Sequence, residues 1–484
     1  MHFIVVGASV AGLATGLTLA RAGHSVTIVE ADSQDDCENR PLIGGAGLLP
    51  NATRLLLAYP GGKEHLEKHG TKINEVRFCD IDTNGTKGRI VFDPQIIQDL
   101  GAAYYLIPHH ALTSFLRTQC RNFGGKIRYD FPVKKIETSR VEAAVVEGAN
   151  GERLECDIII GADGITSTVR EFMLNQAAET QPCDDEDEDD DSDDDDGSST
   201  FSASHLPGQY FPEVVGGVSM IPVEKLEADP ELRHLLDTKS MDAYTGPGFC
   251  LIMGKHGPYY MFDLVCPRRA RPGEKNMPWR KSVPAKEFFA PYIPKDNKML
   301  QRLLALTDNA QVIVQSITPM PSFIDRNSRI ILVGTAAHCV PVLDTHSTSL
   351  PLEDSFTLGR LIEKMPSLVS SSKLVLQGTT TEAEVRRAEV ATLLRGYNEV
   401  RAPRSLQLAE ADMKALGLTA LFPGPIKDVF SKILEASLTA IPGEGILDQD
   451  EVGSMWADWV FQANYDALDA VDEWWLLYGK FAAA

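Results

Sequence analysis

The chain has 484 residues, 43% of them hydrophobic and 24% charged, and a formal net charge of −22. That length allows two or three domains with ample core, and without a run of eighteen apolar residues no transmembrane segment is expected. The sign of the charge argues against nucleic acid as a partner.

Eight cysteines without a CxxC pair are expected to be reduced thiols of a cytoplasmic protein. The first strand is expected to begin at His2 or Phe3, which leaves no room before it for a targeting segment. From Phe3 to Val6 the residues predict a short apolar strand. Gly7-Ala8-Ser9-Val10-Ala11-Gly12 predicts a tight turn, Ala11 to Ala22 a helix, and Ser25 to Val29 a second strand ending at Glu30. This is the start of a βαβ unit suited to a dinucleotide. Gly7 permits the sharp turn, and Gly12 lets helix and strand approach. The helix N-terminus offers N–H groups and a positive dipole end to a pyrophosphate. Ser9 stands where G-x-G-x-x-G has its middle glycine. Glu30, 23 residues after Gly7, can accept ribose hydroxyls. The alternative is the same scaffold with an empty site.

Further along come Gly45-Ala46-Gly47-Leu48-Leu49-Pro50 and Ile107-Pro108-His109-His110-Ala111-Leu112. An apolar strand at Ile158 to Ile160 precedes Gly161-Ala162-Asp163-Gly164-Ile165-Thr166-Ser167-Thr168-Val169-Arg170. Residues 184–196 hold twelve acids and account for more than half of the net charge. Such a run repels itself and buries nothing apolar, so a disordered surface loop is expected. Stretches 246–252 and 257–262 predict paired strands facing a pocket. Strand neighbours point to opposite faces, so one of Tyr259 and Tyr260 is expected to face in, unless both only pack a core. Ile330 to Val333 predicts another strand, leading into Gly334-Thr335-Ala336-Ala337-His338. Residues 412–484 carry Trp456, Trp459, Trp474 and Trp475 among acids. They predict helices capping a surface of this chain or of another subunit. Zinc-type spacing, a Walker loop and a G-x-S-x-G elbow are absent, and no metal site is expected.

Order and spacing of the Gly45, Gly161–Arg170 and Gly334–His338 segments, with Glu353-Asp354 fifteen residues after His338, resemble group A FAD-dependent monooxygenases of the salicylate-hydroxylase-like, aromatic-ring hydroxylase branch. The resemblance covers residues 1 to about 405. It implies an α/β fold: a Rossmann-type FAD-binding domain of the flavoprotein hydroxylase type from 1–73, 105–172 and 326–411. A mixed-sheet substrate domain would use 74–104 and 173–325, including the disordered acidic insert 183–200. A helical C-terminal extension would occupy 412–484. The resemblance also implies FAD as cofactor, NAD(P)H as transient co-substrate, and transfer of one oxygen atom of O2 to a small aromatic or electron-rich substrate, as in secondary metabolism. The cofactor residues would be Gly7, Ser9, Ala11, Gly12, Glu30, Gly45, His110, Asp163, Arg170, Gly334, Thr335 and Ser347. A homodimer stays open.

The chain departs from that family at the flavin ring. Thr335 stands where the family has aspartate, and His110 where it has an arginine that contacts the cofactor. A glycine-rich turn becomes Asp344, Thr345 and Ser347, with His346 in place of glutamine, and β-branched Thr345 and Thr348 tolerate positive φ poorly. The catalytic candidates are His110, Tyr259 and Tyr260; His338 is expected to make a structural hydrogen bond, and Cys339 to pack. Three functions follow: an FAD-dependent hydroxylase or epoxidase, a non-redox isomerase or cyclase using His110, Asp344 or His346, or a non-catalytic binding protein.

Overall fold

The computed structural model describes residues 1–39, 44–140, 142–178, 213–268, 277–316, 320–338, 340–341, 346–364, 382–440 and 450–479. The acidic insert, Cys339, Asp344 and Thr345 lie outside the described residues.

A five-stranded parallel sheet runs in the order Ile330–Leu332, Ile158–Gly161, His2–Val6, Ser25–Val29, Lys126–Arg128. Its central strands are continuous apolar runs because helices cover their faces. Phe3, Ile4 and Val5 are fully buried, as are Ile159 and Ile160. The helix Val10–Arg21 packs on this sheet. Gly16 lets it come close, since a Cβ there would sit 2.7 Å from Ile28 Cδ1.

The second sheet has eight strands, ordered Met277–Pro284, Asn309–Ser316, Glu213–Pro222, Tyr259–Arg268, Phe249–His256, Ser240–Gly246, Glu75–Asp80, Thr86–Val91. It is mixed, because Ser240–Gly246 pairs parallel to Glu75–Asp80 while the other neighbours are antiparallel. One face builds its own core: Tyr260, Phe262 and Leu264 pack with Leu226, Phe289 and Leu300. By strand alternation Met261 and Asp263 point the other way, toward the first domain. The fold is thus a Rossmann-type FAD-binding domain, a mixed-sheet domain and a helical C-terminal region.

The C-terminal helices settle where the tryptophans go. The helix Glu382–Thr419 runs without a break through residue 412. The helix Pro425–Thr439 covers the edge strand Thr86–Val91, where Arg89 N–H donates to Ser437 Oγ at 2.9 Å. Trp456 and Trp459 are buried against Phe92 and Tyr104, with Phe92 and Trp459 stacked at 4.5 Å. Trp474 covers Gly396 and donates from Nε1 to Glu399 at 2.8 Å. The surface they cap belongs to the same chain. Asp466 caps the helix Ala467–Trp474 by accepting from Leu468 N at 2.8 Å and Asp469 N at 3.1 Å. Asp466→Ala is expected to cost about 1 kcal/mol, measurable as a lower denaturant midpoint with an unchanged slope. No helix among the described residues is long and apolar enough to cross a membrane.

Candidate active site

A cavity of about 520 Å³ lies between the nucleotide-type turn and the mixed sheet. At one end Gly7 has φ +103°, and a Cβ on it would lie 2.5 Å from Ala162 O. Gly12 is tighter still: its Cβ would lie 1.9 Å from Gly7 O. The turn exists only with glycine at both positions. Ser9 is the N-cap of the helix and makes no side-chain capping bond, so the helix N-terminus opens toward the cavity, which Ser9, Val10 and Ala11 line. Glu30 lines it too, its carboxylate accepting from Ala8 N at 2.7 Å and Asp32 N at 3.0 Å.

Asp163 and Arg170 hold the walls together. The Asp163 carboxylate accepts from Thr168 N at 2.7 Å, from Val169 N at 3.2 Å and from Ser167 Oγ, starting the helix Thr168–Ala178. Arg170 donates to Thr335 O at 3.1 Å, to Ala336 O at 3.3 Å and to Ile165 O. Its guanidinium therefore ties the Gly161–Arg170 segment to the Gly334–His338 segment, and Arg170 is not among the cavity-lining residues.

Behind the Gly334–His338 segment lies a buried ionic network. Gly334 has φ +61° and donates its N–H to Asp354 Oδ2 at 2.8 Å. His338 bridges Asp354 at 2.6 Å and Ser405 at 2.7 Å. Arg401 donates to Asp354 at 2.8 Å and to Glu353 at 2.7 Å. Arg404 and Asn51 also hold Glu353, at 3.1 and 2.6 Å. Burial works to raise both carboxyl pKa values; for Asp354 the charges of His338 and Arg401 outweigh it, for Glu353 those of Arg404 and Arg401, and both lie below the usual range. Arg404 lies 4.2 Å over the Tyr465 ring and donates to Gln462 O, so the network reaches the C-terminal helices. Arg401, Arg404 and Tyr465 were not singled out from sequence; arginines one turn apart on a long helix resemble solvated charge.

At the ring-facing side several expectations need correction. His109, not His110, lines the cavity, its Nε2 3.4 Å from Ser9 Oγ. His110, one position along the helix His109–Asn122, is exposed and meets Tyr259 edge-on at 5.9 Å. Neither tyrosine lines the cavity: Tyr260 is buried in the sheet's opposite core, and Tyr259, though on the cavity face, lies at the strand's start beside His110. Met241, Ile252, His256, Met261 and Asp263 form that wall instead. Thr335, Ser347 and Thr348 do line the cavity. Thr348 is helical, within His346–Glu363, so no positive φ is required of it. His346 is hydrogen-bonded to Asp412 in a buried pair.

These residues fit FAD. A glycine-only turn at a helix N-terminus suits the pyrophosphate, and a carboxylate closes the second strand. A second helix N-terminus, with Ser347 and Thr348, borders the cavity and offers first-turn N–H groups where the family's glycine-rich turn is missing. The FAD binding domain family matches residues 1–183. The chain is 29% identical over 183 residues to the FAD-dependent monooxygenase YetM of Bacillus subtilis, a match spanning 37% of this chain and 46% of that one. It is also 29% identical over 176 residues to the flavin-dependent monooxygenase pboD of Aspergillus ustus, spanning 36% and 34%. The chain thus spans under half the length of these two relatives. Hispidin-3-hydroxylase of Neonothopanus nambi is 24% identical over 425 residues, 84% of this chain and 86% of that one. Among solved structures, Klebsiella pneumoniae HpxO complexed with FAD and uric acid superposes with a TM-score of 0.66 at 15% identity, covering 96% and 97% of the two chains. A salicylate hydroxylase substrate complex gives 0.64 at 16% identity, covering 98% of each. The fold is the one seen in these flavoprotein structures, with an FAD-binding domain at residues 1–183. The chain carries an FAD-binding domain and is similar to FAD-dependent monooxygenases, and its cofactor is FAD.

Proposed function

We propose that the protein is a cytoplasmic NAD(P)H-dependent monooxygenase that inserts one oxygen atom of O2 into a small aromatic or electron-rich molecule, in secondary metabolism. The observation that carries this reading is the continuity of the cavity. One space runs from Gly7, Ser9 and Glu30 to the apolar wall of Met241, Ile252 and Met261. Bound FAD supplies the electron transfer and the oxygen activation. The chain's own residues bind and orient. The N-terminus of the helix Val10–Arg21 neutralises the pyrophosphate, and Glu30 accepts ribose hydroxyls. Thr335, Ser347 and the backbone around them hold the ring end. The apolar wall keeps water from the reacting atoms. One relative is named hispidin-3-hydroxylase and HpxO is seen complexed with FAD and uric acid, which supports a small organic substrate here.

The test is an absorption spectrum of the purified protein between about 350 and 500 nm as FAD is titrated in. Twin flavin bands retained through gel filtration, followed by substrate-stimulated NADPH oxidation, are expected. A colourless protein that ignores added FAD would sink the reading.

A further inference from the structure

The buried ionic network braces the middle of the helix His346–Glu363, at Glu353 and Asp354; its first turn is braced by a different pair. This helix lies antiparallel along the helix Glu382–Thr419. Glu353 and Asp354 meet Arg401 and Arg404, Leu350 packs with Leu408 and Ala409, and His346 meets Asp412. The polar pair therefore closes the seam at its cavity end, beside Ser347, Thr348 and Pro351, which line the cavity. Both side chains are buried, at 4% and 3% exposure, and His346 Nδ1 is hydrogen-bonded to Asp412 Oδ1. One residue further on, the long helix passes onto the mixed sheet: Met413 and Leu416 pack with Val214 and Val265 and against Ile252, which lines the cavity. The N–H groups of a first turn have no intrahelical acceptors, and helix ends fray first. A buried polar pair adds little stability over an apolar pair of the same size, but it can fix a register.

We infer that Asp412, acting through His346, is a positioning residue for the cofactor: the pair fixes the register of the helix His346–Glu363 so that its first turn meets the flavin-ring end of FAD. The inference rests on FAD as the cofactor and on the placing of its ring end at Thr335 and Ser347, and it needs no particular substrate. The work is divided along the cofactor. The turn at Gly7 and Gly12, with Glu30, holds the adenosine diphosphate half, and the His346–Asp412 pair orients the other half. Neither member of the pair is among the cavity-lining residues, so its effect passes through the backbone at Ser347. A slip of one residue along the seam would turn each first-turn group by about 100° around the helix, away from the ring end.

Paired titrations of FAD, by flavin fluorescence, and of ADP, by calorimetry, test this. The double variant His346→Leu with Asp412→Ala removes both polar partners together at a similar combined volume, and it is expected to fold. In it FAD is expected to bind at least tenfold more weakly, and ADP within threefold of wild type. Asp412→Asn, whose side-chain oxygen still accepts from Nδ1, is expected to keep FAD affinity within threefold. A double variant that holds FAD as wild type does, an equal loss of FAD and ADP, or an Asp412→Asn that loses FAD as the double variant does would each overturn the inference. Should the double variant not fold, Asp412→Ser, polar but too short to reach the imidazole, carries the same expectation for FAD and ADP. A wild-type protein that binds ADP but not FAD removes the ring-end assignment and the inference with it. Equal FAD binding by wild type and double variant removes the positioning role and leaves that assignment standing.

Discussion

Arg401→Met is expected to lower stability by about 3–5 kcal/mol, the usual cost of removing one partner from a buried ion pair. Arg401 is fully buried and bonds two carboxylates that are also fully buried. Methionine fills much of the volume but leaves Asp354 with His338 and the Gly334 N–H, and Glu353 with Arg404 and Asn51. Because Asp354 also takes the Gly334 N–H, FAD affinity is expected to fall with stability. The pH dependence has a definite sign. Asp354 and Glu353 have depressed pKa values in the folded protein. The stability they confer is present above their unfolded pKa of about 4 and is lost as pH falls through the lower folded values. In Arg401→Met, desolvation is less opposed, so the orphaned carboxylates take up protons at higher pH. The stability gap between wild type and variant is therefore expected to narrow as pH is lowered from about 7 to 4. Denaturant unfolding at several pH values measures it, and a gap that widens toward acid would contradict this account.

Gly12→Ala is expected to weaken FAD binding at least a hundredfold, about 2.7 kcal/mol. The added methyl would lie 1.9 Å from Gly7 O, a backbone atom that cannot rotate away. Only parting the helix Val10–Arg21 from the strand His2–Val6 relieves the overlap. That moves the helix N-terminus off the cavity and loosens a core in which Leu13 and Leu17 are fully buried. Ser9→Gly, which adds no atom to the turn, is expected to keep FAD. Flavin fluorescence titration of both variants measures the difference, and normal affinity in Gly12→Ala would refute the assignment of this turn to the pyrophosphate.

The nucleotide end was legible because its signals are local. Gly7, Gly12 and Glu30 lie within one βαβ unit, and the expected strands match those observed to within a residue. The ionic network was not legible, because Arg401 lies 47 residues from Asp354 and nothing nearby marks it as buried. The substrate wall was legible in kind only. Alternation predicted that one face of the hairpin looks into a pocket. Which residues reach it depends on where the sheet crosses the first domain, and that crossing favours Met261 and Asp263 over Tyr259. His109 and His110 differ by 100° around a helix, too fine a distinction to make before the helix start is known.

Gly45 belongs to the strand Gly45–Leu48 of the FAD-binding part, and His256 to the mixed sheet. A Cβ on residue 45 would sit 2.3 Å from His256 Nε2. The two positions therefore share one volume across the domain boundary. A relative with alanine or a larger residue at 45 must displace the imidazole at 256 or replace it. Cofactor side and substrate side can drift apart elsewhere in the chain, but at this point a change on one side obliges the other to shift.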